Sequence, residues 1–244
     1  MECEGLKISI AHLYPKYLNL YGDLGNIITL KKRCEWRGIS VDIVNIDIGD
    51  EIGENDLYFI GGGQDKQQED VAKEFYRHSS NLQSQRDDGA VFLGICGGYQ
   101  LFGHYYQPHG KDKLDGISLM DAYTVAGNKR FIGNVTVKTD FLTPNFLVGF
   151  ENHSGLTFLG DGVSPLGKVL IGHGNNGKDG LEGARFKNVF GTYLHGSLLP
   201  KNPNFADYLI ELALEKRYGE KIILSKLDDN LEIVTHNSLV NKKY

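Results

Sequence analysis

The chain has 244 residues, 41% hydrophobic and 23% charged, with a formal net charge of −5, the ordinary balance of one globular domain or one domain with a modest appendage. No apolar run approaches the roughly 18 residues needed to cross a bilayer, and the acidic balance argues against a broad nucleic-acid surface. Cys3, Cys34 and Cys96 are too few and odd in number for a disulfide framework, and MECEGLKISI has no basic-then-apolar leader, so a reducing cytoplasm is the expected setting.

LKISIAHLY (6–14) has the β-branched and apolar content of a first strand. GNIITLKKRCEWRG (25–38) places Ile27, Leu30 and Cys34 at helical spacing, which assigns Cys34 to the core. VDIVNIDI (41–48) reads as a second strand, and DLYFIGGG (56–63) as a third running into a glycine turn. The polar segment 64–85 reads as one helix with an apolar face, and AVFLGIC (90–96) as a fourth strand. This alternation predicts an α/β fold: a mostly parallel sheet with helices on both faces. Ligands collect at the carboxyl ends of such strands, where both glycine turns, 61–63 and 94–98, fall.

From about residue 115 the texture changes. RFIGNVTVKT (130–139), FLVGFEN (146–152), GKVLIGHG (167–174) and ARFKNVFGTYLHG (184–196) are short strand-like runs. They are expected to form an antiparallel extension of the same sheet. FADYLIELALEKRYG (205–219) is a closing amphipathic helix with Gly219 as its cap. The organisation is therefore one domain over 1–219 and a polar tail, 220–244, expected to be poorly ordered.

The stretch GICGGYQ (94–100) carries the chemical signal. A nucleophile on a sharp strand-to-helix turn needs small neighbours, because bulky ones would collide with the adjacent strands and helix. The helix that follows favours the thiolate of Cys96 at its positive end, and the Gly97 N–H is placed to hold an oxyanion. A second donor is required, and IGGGQD (60–65) is its natural source. A core cysteine with glycines for packing fits a bare Gly-x-Cys-x-Gly about equally well. The strand before, the helix after and the second glycine turn favour the nucleophile. IGGGQD lacks the Lys-Ser/Thr of a nucleotide loop, and GDLGN (22–26) fails the dinucleotide pattern and reads as a helix start.

A cysteine nucleophile needs a base, normally histidine. Of the eight histidines, His78 and His236 read as surface residues, His104 and His109 sit near loops, and His12 and His173 fit satisfied polar positions. His153 in FENHSG and His195 in GTYLHGS both follow strand-like runs and precede small residues or glycine. Spacing alone does not choose between them.

GICGGYQ, FIGGGQD (59–65) and YLHG (193–196) resemble the nucleophile turn, oxyanion turn and catalytic histidine of class I, triad-type glutamine amidotransferases. With LNLYGDLGN (18–26) and GFENHSG (149–155), the set resembles the cobyric-acid-synthase-like branch. Within it, the likeness is to the glutaminase subunits of lipid II isoglutaminyl synthase. The resemblance implies a flavodoxin-like fold, Cys96 as nucleophile and His195 as general base and acid. It also implies that Gln100, Gly62 and Gly63 contact glutamine, that Gly97 and Gly63 hold the oxyanion, and that Arg130 binds the substrate through charge. No metal and no organic cofactor is implied. The ammonia would pass to a separate ATP-dependent, Mur-ligase-like synthetase of the MurT type. Rival readings are a glutaminase for a cobyrinate-type acceptor and a non-catalytic binding subunit of the same fold.

One departure stands out. Many members of the family continue His-x-Glu, whereas His195-Gly196-Ser197 offers serine, which cannot stabilise an imidazolium by charge. The pair then works as a dyad, or an acid comes from elsewhere: Glu151 of FENHSG within the chain, or a carboxylate of the synthetase.

Overall fold

The computed structural model describes residues 5–240; Cys3 and residues 241–244 lie outside them. In chain order the first half comprises β1 (Lys7–Leu13), α1 (Leu24–Glu35), β2 (Ser40–Ile46), β3 (Leu57–Ile60), α2 (Asp65–Arg77), α3 (Ser79–Asp87), β4 (Val91–Ile95) and α4 (Gly97–Phe102). The second comprises β5 (Tyr105–Gln107), β6 (Leu114–Asp115), β7 (Ala122–Lys138), β8 (Phe146–Leu159), β9 (Gly167–Ile171), β10 (Leu181–Glu182), β11 (Ala184–Phe186), β12 (Val189–Thr192), α5 (Pro203–Tyr218) and α6 (Asn230–Val240). The segment read as one helix over 64–85 is two, because the backbone leaves helical geometry at His78.

The first sheet runs β11-β12-β4-β3-β1-β2, parallel throughout except at β11. Its central strands are buried on both faces, and side chains alternate between two cores. Leu57 and Phe59 of β3 pack with Ile27 and Leu30 of α1 and Leu209 of α5. Tyr58 and Ile60 pack with Val71 and Phe75 of α2 and Phe102 of α4. Each such side chain, removed from water, contributes about 1.5–3 kcal/mol.

The antiparallel strands do not simply extend this sheet. Only β11 joins it; β10-β9-β7-β5-β6, with β8 paired to β7, form a second sheet. The reason lies in β7 and β8, which are far longer than the parallel strands. Val135, Val137 and Leu147 bury one face of this ribbon against the core of α1 and α5, so it packs face-on instead of pairing along an edge. The β7–β8 register shifts between Ala126 and Phe131, and such irregularities re-aim side chains at functional rims.

The tail also departs from expectation. Residues 220–240 end in α6, tied to the body by the buried Arg33, which pairs with Asp207 of α5 and with Asp229, each at 2.6 Å. Arg37 reaches the same Asp207 at 2.6 Å. A buried guanidinium needs such partners, and only a docked tail supplies Asp229. Among the described residues no helix is long and apolar enough to cross a membrane.

Candidate active site

Cys96 connects β4 to α4 with φ +50° and ψ −102°, a conformation L residues avoid unless their surroundings enforce it. Glycine makes the turn possible. A Cβ on Gly94 would stand 2.7 Å from the Phe102 ring, and one on Gly98 would stand 2.6 Å from the Ile60 carbonyl oxygen. The Gly98 N–H donates to the Gly61 carbonyl at 3.2 Å, tying the cysteine turn to the glycine turn after β3. Gly97, the first residue of its helix, has no intrahelical acceptor for its N–H.

The histidine arrives along the neighbouring strand. β12 pairs with β4 so that Thr192 lies beside Ile95, and the Cys96 N–H donates to the Thr192 carbonyl at 2.8 Å. Glu182 fastens the end of β12, accepting from Thr192 Oγ1 at 2.6 Å and from the Tyr193 N–H at 2.8 Å. His195 follows, wholly buried, its backbone bridged to Phe150 of β8. Gly62 marks the point of convergence: a Cβ there would lie 2.8 Å from His195 Cε1, 3.3 Å from Cys96 Cβ and 3.5 Å from Asp23 Oδ2.

Asp23, at the start of α1, also reaches this point, a placement the sequence alone does not single out. It is fully buried; Oδ2 accepts the Gly62 N–H at 2.7 Å, and Oδ1 lies 3.9 Å from His195 Nδ1. Burial opposes charge on His195, but Cys96 and then Asp23 overturn it and hold the imidazole at about 10. Neither ring nitrogen yet has a hydrogen bond that meets ordinary geometry, the loose arrangement common before substrate binds. The signal available in the sequence was the position of GDLGN just beyond the carboxyl end of β1, beside the other two turns.

A cavity of about 630 Å³, in the range of small-molecule sites, opens over Cys96 and is lined by Tyr21, Gly63, Gln100, Arg130 and Asn152. Arg130, displaced by the β7–β8 irregularity, donates from Nε to Asn152 Oδ1 at 2.8 Å. Asn152 Nδ2 donates to Tyr21 Oη at 2.6 Å, and the Tyr21 ring meets His195 edge-on at 5.0 Å. The two terminal nitrogens of Arg130 have no hydrogen-bond partner among the described residues, which leaves a fork suited to a carboxylate. Gln100 is engaged at both ends: Oε1 accepts from Gln68 at 2.8 Å and Nε2 donates to Tyr193 Oη at 3.2 Å. It therefore forms cavity wall. Another cavity, about 370 Å³ between α5, α6 and residues 141–144, includes His236 but no cysteine.

Geometry decides between the two histidines. His153 stacks flat on Tyr193 at 3.6 Å, shares Nδ1 with the Gly155 carbonyl, and is driven by burial to about 3, so it stays neutral. His195 alone sits with Cys96 and an acid. That acid is not Glu151, whose carboxylate accepts from His173 Nδ1 at 2.6 Å and from the His173 and Gly174 N–H groups. Gly62 and Gly63 are both beside the cysteine, but the Gly62 N–H is committed to Asp23, which leaves Gly63 as the available donor of the turn. A thiol, an imidazole and free N–H groups around one cavity suit nucleophilic attack on a carboxamide.

Comparison with known proteins assigns the chain's family and fold. The CobB/CobQ-like glutamine amidotransferase domain matches residues 9–203. Subunit GatD of the glutamine-hydrolyzing lipid II isoglutaminyl synthase of Streptococcus pneumoniae is 40% identical over 242 residues, covering 97% of this chain and 93% of that one. The Staphylococcus aureus subunit is 39% identical, with 97% and 96% covered. A probable cobyric acid synthase of Methanococcus maripaludis is 35% identical over 64% of this chain and 32% of its own length. Among solved structures, a glutamine amidotransferase superposes with a TM-score of 0.59 at 14% identity, over 83% of this chain and 98% of that one. The glutaminase domain of Trypanosoma brucei CTPS gives 0.55 at 11%, over 89% and 96%.

Proposed function

Because the chain belongs to the CobB/CobQ-like glutamine amidotransferase family, we propose that it is the glutamine-hydrolysing subunit of a lipid II isoglutaminyl synthase. The convergence of Cys96, His195 and Gly62 at one point carries this reading. Coverage of the subunit-type relatives along 93% and 96% of their length, against about a third of the cobyric acid synthase, favours it over a cobyrinate-type acceptor.

In the mechanism, the Cys96 thiolate attacks the side-chain carboxamide carbon of L-glutamine. The N–H groups of Gly97 and Gly63 hold the oxyanion, the largest single stabilisation in such reactions. His195, kept protonated by its surroundings, gives its proton to the departing nitrogen, so ammonia leaves and a γ-glutamyl thioester remains. Neutral His195 then takes a proton from water, hydroxide attacks the thioester, and glutamate is released with the thiolate restored. Arg130 clamps the α-carboxylate at the mouth of the cavity, and Gln100 shapes its wall.

The ammonia passes in the cytoplasm to a Mur-ligase-like synthetase of the MurT type, which amidates the D-glutamate of lipid II to D-isoglutamine. The test is to purify this chain with that synthetase and follow both glutamate release and lipid II amidation from glutamine. Release and amidation together support the reading. No glutamate from the purified pair overturns the glutaminase, and amidation from ammonium salts but never from glutamine overturns the partnership.

A further inference from the structure

We propose that Tyr21 is a two-ended positioning residue: its hydroxyl steadies the arginine that clamps the substrate, and its ring fixes the plane of the His195 imidazole. The proposal rests on the reading of this cavity as a glutamine site.

His195 is wholly buried, yet neither ring nitrogen has a hydrogen bond of ordinary geometry. Packing therefore sets the plane of the imidazole. The Gly62 turn flanks it so closely that a Cβ there would lie 2.8 Å from Cε1. The Tyr21 ring flanks it as well, edge-on at 5.0 Å with the two planes 71° apart, an arrangement that aromatic rings favour.

The backbone at Tyr21 is shaped to bring that ring into place. It takes φ +55° and ψ +26°, a left-handed conformation that residues with a side chain rarely adopt. Such strain persists only where the surroundings over-determine it, and here the chain is fastened on both sides. The Leu20 N–H donates to the Gly62 carbonyl at 3.0 Å, and Ser197 Oγ donates to the Gly22 carbonyl at 2.6 Å. Asn19 Oδ1 accepts the Leu24 N–H at 2.8 Å. Glycine or asparagine would make the same turn at lower cost, so the reason for tyrosine lies in what its side chain touches.

The far end of that side chain belongs to a chain of hydrogen bonds with a fixed direction. Arg130 Nε can only donate, so the end of Asn152 that it meets at 2.8 Å is Oδ1. The amide nitrogen is then the end that donates to Tyr21 Oη at 2.6 Å. Tyr21 thus anchors Asn152, and Asn152 anchors Arg130 by Nε while leaving the terminal nitrogens for a carboxylate. Arg130 and Asn152 lie on β7 and β8 of the second sheet, whereas Tyr21 follows β1 of the first. One side chain therefore joins the clamp to the base. With that separation fixed, glutamine held at Arg130 presents its carboxamide to Cys96 and His195 in a single geometry.

The experiment follows steady-state glutamine hydrolysis by the full chain with its synthetase, and the NMR signals of the His195 ring in the full chain. Tyr21→Phe keeps the ring and loses the hydroxyl. Its KM is expected to rise about threefold, the scale of one hydrogen bond, with kcat and sharp His195 signals retained. Asn152→Ala is expected to raise KM about fivefold, and the double variant no further, because the hydroxyl acts only through Asn152. Tyr21→Asn tolerates the left-handed backbone but has no ring. Its kcat is expected to fall at least about tenfold, and its His195 signals to broaden or double.

An unchanged KM in Tyr21→Phe overturns the proposal, and so does a double variant whose KM rises by the product of the single effects. A folded Tyr21→Asn protein with wild-type kcat, or with wild-type His195 linewidths, overturns it equally. Should Tyr21→Asn not fold by circular dichroism, Tyr21→Phe and the double variant decide. A wild-type pair that releases no glutamate counts against the proposed function, while the His195 linewidths in Tyr21→Phe and Tyr21→Asn still decide the role of the ring.

Discussion

The two sheets divide the work of the site. The parallel sheet is buried on both faces at its centre, with every residue of β3 and β4 inaccessible, and from its strand ends come Cys96, the Gly62–Gly63 turn and His195. The β7–β8 ribbon alternates buried and accessible residues along β8 and contributes Arg130 and Asn152 to the rim. Reacting atoms must be held to fractions of an ångström, which close packing supplies. A carboxylate clamp at the mouth of a cavity tolerates a half-exposed platform. The division implies that changes in the first sheet act on kcat and changes in the ribbon act on KM.

The largest expected effect is at the nucleophile and its base. Cys96→Ser and His195→Ala are each expected to lower glutamine hydrolysis about ten-thousandfold or more while circular dichroism stays that of the wild type. Near-normal glutamate release in either variant would detach the chemistry from the parallel sheet altogether. Next comes Gly62→Ala, whose new methyl would press on His195 Cε1 at 2.8 Å. A displaced imidazole is expected to cost about a hundredfold in kcat with KM held, and a rise in KM alone would instead place the turn among the binding elements.

On the ribbon, Arg130→Lys is expected to raise KM for glutamine about tenfold with kcat nearly intact, because lysine lacks the two-pronged fork. Asn152→Ala, which frees Arg130 Nε, is expected to act in the same direction more weakly. If kcat fell in place of a rise in KM, steady-state kinetics would show the ribbon taking part in bond-making.

The smallest effect on rate is expected for Glu182→Gln, which informs on stability. Burial raises the Glu182 carboxyl from 4.5 to about 7. The folded protein thus favours the protonated acid: its contribution is full below pH 4.5 and is lost as pH rises toward 7. Above that window the wild type carries a buried charge costing on the order of 3 kcal/mol, which glutamine avoids. Thermal melts of the two proteins should therefore diverge in favour of Glu182→Gln between pH 4.5 and 7, and a gap independent of pH would show that this carboxyl does not titrate there.

Legibility in the sequence followed the range of the interactions. The cysteine turn was readable because its glycines are a local steric requirement, and the parallel layer because a run such as LYFI leaves no face for water. The cap at Gly219 was equally local, and the backbone there takes φ +73°. The nearness of Asp23 to His195 was not readable: it looks like any helix-start aspartate, and only the strand order β12-β4-β3-β1 brings it across. Glu151 looked plausible beside His153, but the partner that claims it, His173, comes from beyond β9. The docked tail was not legible because its polar composition is satisfied by Arg33 of α1 and by Arg37 just beyond that helix, and an arginine gives no local sign that it is buried. The second sheet was missed for a related reason, since alternation reveals a half-buried strand without telling which layer buries it.

The pairing of β4 with β12 has a consequence for the making of the protein. β12 is the last strand among the described residues, yet it lies directly beside the strand that leads to Cys96. A ribosome therefore produces Asp23, the glycine turn and Cys96 well before the strand that leads to His195 exists. At about 5–20 residues per second that interval lasts seconds. During it the cysteine has no base, and one edge of β4 lacks its neighbour. A chain cut short before residue 189 accordingly cannot drain glutamine. It exposes the unpaired apolar edge of β4, the kind of surface that chaperones and proteases act upon, so enzymatic competence waits for the strand that also closes the sheet.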